Sequence, residues 1–245
     1  MLDKPVGKEL IEGHEVVSPG AWLEARRALL KKEKELGHAL EELNRQRRAL
    51  PWTRVTKEYV FEGPSGRETL AELFGAASQL IVYHFMFGPG WEEGCVGCSF
   101  VSDHFDGANL HLNHRDISFV AVSSAPLQEF EAFKQRMGWQ FKWVSSNGSD
   151  FNYDYQVSYK KEDLDRGDVL HNFTIQKLTG DEQPGLSVFF KNAAGEIFHT
   201  YSTYERGLDM LLGTHHLMDL TPKGRRDHEG FWWRFHDSYD DSTGE

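Results

Sequence analysis

The stretch "LIVYHFMFGPGWEEGCVGC", residues 80–98, decides how this chain is read. Leu80 to Phe87 is an unbroken apolar run, the pattern of a strand covered on both faces. Gly88, Pro89 and Gly90 interrupt it, and a helix is predicted from the cysteines to about Asp106. Cys95 and Cys98 are the only two cysteines, and this reading sets them at a strand-to-helix junction. The free N–H groups and the dipole at a helix start stabilise an anion. A thiolate is such an anion, so Cys95 is predicted to have a lowered pKa and to be the attacking sulfur. Cys98, one turn further, shares its side of the helix and can close on it as the resolving thiol. Glu92 and Glu93 oppose a thiolate beside them.

The same spacing is compatible with metal binding. Zinc would require two further ligands. His104, nine residues after Cys95, falls about half a turn round the helix from it. His111 and His114 reach the pair only if their loop folds back. The expectation is therefore a redox pair with no metal and no other cofactor. A metal site and an inert pair remain as alternatives.

Working outward, "ISFVAVSS", 117–124, is a second buried strand. "PLQEFEAFKQRMG", 126–138, is a helix with Leu127, Phe130, Phe133 and Met137 on one face, and "WQFKWVSS", 139–146, is a strand. Upstream, "VTKEYVFEG", 55–63, alternates like an edge strand, and "GRETLAELF", 66–74, reads as a short helix. Residues 147–183 are polar and read as loops with a hairpin, inserted before a final hairpin of "LSVFFKN", 186–192, and "GEIFHTYSTY", 195–204. "GLDMLLGTHHLM", 207–218, is a last amphipathic helix. Parallel βαβ units followed by an antiparallel hairpin predict a three-layer α/β/α arrangement around a mixed central sheet.

Residues 1–17 read as an irregular arm. Ser18-Pro19 then supplies an N-cap and a first-turn proline. From about Ala21 to Leu50 the pattern is helical, with Trp22, Leu29, Leu36, Leu43 and Leu50 recurring every seven residues until Pro51 stops it. The long helix is expected to lie on or beside its own domain; a homodimer through the apolar stripe is the alternative. The expected organisation is an arm and helix over 1–51, a main domain over 52–220 with its insertion near 147–183, and a tail over 221–245.

Composition narrows the function. Of the 245 residues 39% are hydrophobic and 13% aromatic, enough for a large core, and the net charge of −11 disfavours nucleic acid as a partner. The first residues, "MLDKPVGKEL", lack the apolar stretch of a signal peptide. The longest apolar run is too short to span a bilayer, so no membrane partner and a cytoplasmic location are expected. Thiols there stay reduced, which argues against a structural disulfide.

Three stretches together, "LIVYHFMFGPGWEEGCVGC", "RDISFVAVSSAPLQEFEAFKQRMG" and "LSVFFKNAAGEIFHTYSTY", resemble the thioredoxin superfamily. More narrowly, the chain is similar to a bacterial thioredoxin-like family of unassigned function. That family shares the "GCxxCSF", "RDISFVAVS-AP" and "FHTYSTYxRG" signatures and an aromatic "WRxHDxY" tail. The resemblance covers about residues 20–240. It implies a thioredoxin-like fold and supplies no reaction; the expectation of thiol-disulfide oxidoreductase chemistry, with a protein or small-molecule thiol or disulfide as substrate, comes from the cysteine pair at the strand-to-helix junction.

It also implies substrate contacts from Trp91, Gly94, Pro184 and Gly185. This chain departs from true thioredoxins at each of them. The tryptophan that directly precedes their first cysteine is displaced to Trp91, and Gly94 fills its place. Their cis-proline falls near Pro184 or Gly185. Their buried carboxylate falls near Tyr83 or His84, and His84 is the candidate to take the proton of Cys98. A peroxiredoxin-like peroxidase ranks lower, because Pro89 and Glu92 do not match the proline and threonine of that motif. A binding module that keeps the fold without turnover is a further alternative. Trp232 and Trp233 are read as pinning the C-terminus rather than capping the site.

Overall fold

A computed structural model describes residues 9–11, 13–226 and 230–239. The chain divides into two compact units, 1–50 and 51–245. In the first, β1 (Glu9–Ile11) and β2 (His14–Val16) pair antiparallel, so part of the expected irregular arm is a hairpin; residues 1–8 and 12 lie outside the described residues. Helix α1 (Pro19–Arg48) starts where the sequence places it. The Ser18 hydroxyl accepts the Ala21 N–H at 3.3 Å, Pro19 occupies the first turn, and Arg45, Arg47 and Arg48 face the negative end of the dipole. No helix is long and apolar enough to cross a membrane among the described residues.

The second unit runs β3 (Thr53–Arg54), β4 (Val60–Gly63), β5 (Gly66–Thr69), α2 (Leu70–Leu73), β6 (Gln79–His84), α3 (Val96–Ser102), α4 (Phe105–Asn113), β7 (Ile117–Ser123), α5 (Leu127–Arg136) and β8 (Lys142–Ser145). The inserted segment follows with α6 (Phe151–Asp154), α7 (Lys161–Arg166) and the hairpin β9 (Val169–His171) and β10 (Thr174–Gln176). Then come β11 (Gly185–Lys191), β12 (Ile197–Tyr204), a 3-10 segment (Glu205–Leu211) and α8 (Gly213–Met218).

Eight strands form the main sheet in the order β3-β12-β11-β6-β7-β8-β4-β5. β6, β7 and β8 are parallel, and β11 runs antiparallel to β6 and β12. The four strands β12-β11-β6-β7 therefore have the thioredoxin-like arrangement, a parallel pair joined through the cysteine helix and flanked by an antiparallel hairpin. Asp116 fixes the starts of the parallel pair. Its carboxylate accepts the Ser78 N–H at 2.8 Å and the Ser78 hydroxyl, tying β7 to β6.

Side-chain alternation along β6 divides the core. Leu80 and Val82 pack with Leu73, Phe74, Phe151 and Phe189 on one face. Tyr83 and Phe85 pack on the other with Cys98, Phe130, Phe133 and Trp143, beneath α3, α4 and α5. Both faces are covered, which is why β6 and β7 read as continuous apolar runs.

Three predicted helices are divided, the cysteine helix among them: α3 ends at Ser102 and α4 starts at Phe105. Residues 66–69 are a strand rather than helix, because β5 folds back on β4; the helix begins only after Thr69, whose capping box with Glu72 marks the boundary. Residues 207–218 divide at Leu212, which leaves helical geometry at φ −91°, ψ 78°. The insertion holds the expected hairpin and also two short helices.

Candidate functional site

The strand-to-helix loop is held from both sides. The Phe85 N–H donates to the Val122 carbonyl at 2.9 Å and the Ala125 N–H to the Phe87 carbonyl at 3.0 Å, so the chain leaves β6 alongside the end of β7. It then turns back, and the Cys95 N–H donates to the Met86 carbonyl at 3.1 Å. Gly94 is demanded by contact. A β-carbon there would lie 2.6 Å from Phe85 Cε1 and 2.8 Å from Phe133 Cε1, so the backbone before Cys95 sits directly on the aromatic core.

Cys95 is the N-cap of α3, and its sulfur accepts the Cys98 N–H at 3.5 Å. Its pKa falls to about 6. The Cys98 thiol donating to it is the largest cause, with the Cys98 and Gly97 N–H groups adding to this against the opposing effect of burial. Of the two glutamates before it, Glu93 is ion-paired with Arg136 of α5. Cys98 is 2% exposed, and its sulfur accepts the Met86 N–H at 3.4 Å. Burial first, then the neighbouring Cys95, pushes its thiol well above the ordinary range. Both thiols are free. Cys95 is half-buried with its pKa lowered, and Cys98 is buried with its pKa raised.

Tyr83, not His84, lies beneath this pair. Its buried hydroxyl makes no hydrogen bond of standard geometry, yet it is close enough to Cys98 that burial first, then the thiol, holds it protonated. Adjacent strand residues point to opposite faces, so His84 is on the far side. It packs near Phe151 and Tyr155, and its Nε2 bonds the Ser187 hydroxyl at 2.8 Å. Ser187 continues to Ser202 and His199, a buried polar chain across three strands. Burial, with His199 second, lowers the His84 pKa to about 3. The structure thus does not bring the predicted proton acceptor to the thiols.

The other predicted residues make the following contacts. Trp91 packs near Phe87 in the loop before Cys95. Pro184 is half-buried just before β11, and no peptide bond is cis among the described residues. Gly185 pairs with His84, and a β-carbon there would meet Tyr204 at 2.8 Å and Val157 at 3.0 Å. It is Leu186 that pairs with Tyr83. His104 is occupied elsewhere, with Nδ1 donating to the Phe100 carbonyl at 2.9 Å and Nε2 accepting the Thr214 N–H at 3.0 Å. Among the described residues no group of three or more His, Cys, Asp or Glu side chains is arranged to hold a metal ion.

Glu182 is a titratable group that the sequence reading passes over as part of a polar insertion. It is 6% exposed, and one carboxylate oxygen accepts the Ser124 hydroxyl at 2.7 Å and the Ser158 hydroxyl at 2.8 Å. Its Cγ would lie 3.4 Å from a β-carbon on Gly88, beside the Trp91 indole nitrogen. Burial raises its pKa to about 7 despite the two hydroxyls. The folded state therefore holds this proton more tightly than the unfolded chain. Stability from this group is full below the unfolded value of 4.5 and is lost as pH rises through about 7. The slope is at most about 1.4 kcal/mol per pH unit. Glu182→Gln keeps both serine contacts and removes the titration. Its melting temperature relative to the parent is expected to rise from pH 5 to pH 8, and a constant difference would refute the buried acid.

Comparison with known proteins adds a family. No curated protein matches the chain. Among solved structures, Xanthomonas campestris peroxiredoxin Q is 12% identical with a TM-score of 0.42, covering 66% of this chain and 96% of its own. A putative thiol:disulfide interchange protein DsbE from Chlorobium tepidum is 12% identical with a TM-score of 0.40, covering 66% and 93%. Peroxidoxin BcpB from Mycobacterium tuberculosis is 12% identical with a TM-score of 0.40, covering 66% and 94%. These likenesses assign no chemistry to this chain. The family described as "Bacterial protein of unknown function (DUF899)" matches residues 11–239, and the chain belongs to it.

Proposed function

We propose that this protein is a thiol-disulfide oxidoreductase in which Cys95 attacks and Cys98 resolves. The observation that carries the reading is the asymmetry of the pair: Cys95 at a helix N-cap with its pKa lowered to about 6, and Cys98 buried beside it as a neutral donor. The Cys95 thiolate attacks a substrate disulfide, forms a mixed disulfide and expels one substrate thiolate. The Cys98 thiol gives up its proton and attacks the Cys95 sulfur. The second substrate thiolate leaves, and the protein keeps a Cys95–Cys98 disulfide. Two electrons pass from protein to substrate, and two equivalents of an external thiol restore the dithiol. Such a cycle needs no metal or organic cofactor and suits a thiol-reducing compartment, as expected for the cytoplasm.

The test is the pH dependence of Cys95 alkylation by iodoacetamide, followed by peptide mass. Half-maximal rate is expected near pH 6, where an ordinary thiol reaches it near about 8.5. A midpoint at the ordinary value would remove the reading.

A further inference from the structure

The C-terminal segment crosses the cysteine helix and is fastened at several points. The Trp233 ring lies on the backbone between the two cysteines. A β-carbon on Gly97 would be 3.2 Å from Trp233 Cζ3 and 3.7 Å from Cys95 Sγ. The indole stacks on Phe100 of the same helix at 5.1 Å and 17°. Beyond it, Phe235 is buried against Phe133 at 5.3 Å. The His236 Nδ1 lies 2.7 Å from Asp103, the C-cap of α3, which also accepts the Trp139 indole N–H. Asp237 accepts Arg136 Nε at 2.7 Å, and the same guanidinium holds Glu93, two residues before Cys95. The tail is thus tied beside both ends of the helix, with an aromatic ring over its first turn.

Pinning the C-terminus requires only the Phe235 and Arg136 contacts. It does not require a ring above the backbone between the cysteines, and Gly97, the smaller of the two residues there, stands where that ring comes down. We propose that Trp233 is a specificity-determining residue that confines exchange at Cys95 to small-molecule disulfides and excludes disulfides on folded proteins. This rests on the reading of Cys95 as the attacking thiol. A folded substrate must lay its own backbone against the helix N-terminus to bring a disulfide into line with Cys95, and Trp233 occupies that ground. A small disulfide needs only an approach to the half-buried sulfur.

The experiment measures oxidation of the reduced full chain by hydroxyethyl disulfide and by insulin, read as the ratio of the two rates. The parent is expected to favour the small disulfide. In Trp233→Ala that ratio should fall at least about tenfold, and Trp233→Phe should retain most of the discrimination. Asp237→Asn, which loosens the tail at an exposed ion pair without touching the core, should shift the ratio in the same direction by a smaller factor. An unchanged ratio in both Trp233→Ala and Asp237→Asn overturns the proposal, as does a parent that reduces insulin as readily as the small disulfide. A parent that exchanges with neither probe overturns the thiol-exchange reading itself.

Discussion

Cys95→Ser is expected to abolish disulfide formation, and Cys98→Ser to stop it halfway. Reduced protein treated with hydroxyethyl disulfide should lose two hydrogens in mass as the Cys95–Cys98 bond closes. In Cys95→Ser only Cys98 remains, a thiol that is 2% exposed and held protonated well above its ordinary pKa. Its exchange rate is expected to fall by a factor of at least about 1,000, from burial and protonation together. Ionisation of Cys95 alone is a smaller effect. With a pKa of about 6 it is about nine-tenths thiolate at pH 7, against about 3% for an ordinary thiol. Much of that gain is offset because nucleophilicity falls with pKa. The difference between the two cysteines therefore comes mainly from what silences Cys98. In Cys98→Ser the mixed disulfide on Cys95 should persist, visible as a mass adduct. The remaining hydroxyl can still donate to the thiolate, so the Cys95 pKa should rise less than in Cys98→Ala, where the largest cause of its lowering is gone. A mixed-disulfide adduct forming on Cys98 of Cys95→Ser as fast as on Cys95 of Cys98→Ser would reverse the assignment of roles.

The central strands and the cysteine junction were legible because their signals are local and strong. An apolar run broken by Gly-Pro-Gly, with the cysteine pair just beyond, has few other readings, and Leu80, Val82 and Phe119–Val122 are buried as such runs require. The choice between Tyr83 and His84 was not legible by residue type, since histidine is the commoner proton carrier. It was legible in principle by parity, because the residue sharing a face with Phe85 is Tyr83. Glu182 was hidden for a different reason. Its surroundings, Ser124 and Ser158, are 58 and 24 residues away in sequence, and nothing in "DEQPG" distinguishes a buried acid from a solvated one. The tail was half legible: its aromatic residues announced an anchored segment, but the landing place of Trp233 depends on long-range contacts. The strand at 66–69 is not predicted by the helical pattern of 66–74, although "TLAE" carries the capping-box spacing that marks the true helix start.

The largest effect on stability is expected from Trp143→Ala. Trp143 is 1% exposed on β8, stacked on Phe130 at 4.6 Å and against Phe85 at 4.5 Å, and its indole N–H donates to the Ser123 hydroxyl at 2.9 Å. Removing a buried ring of this size costs about 3–5 kcal/mol in lost burial and cavity formation. Ser123 keeps its own donation to the Phe85 carbonyl at 2.7 Å, so no buried donor is orphaned. For a unit of this size each kcal/mol lowers the melting temperature by about 2–4 °C, giving a fall of roughly 6–20 °C. Trp143→Phe retains most of the volume and should lose well under half as much. The consequence reaches the thiols through Phe85, which is held on one side by Trp143 and on the other supports the backbone at Gly94. If Phe85 relaxes into the cavity, the turn before Cys95 loses its floor and the cover over Cys98 loosens. Alkylation of Cys98 in the native state should then become measurable in Trp143→Ala at a temperature where the parent shows none. A melting temperature within a few degrees of the parent, with Cys98 still protected, would mean that Trp143 is not the support of this site.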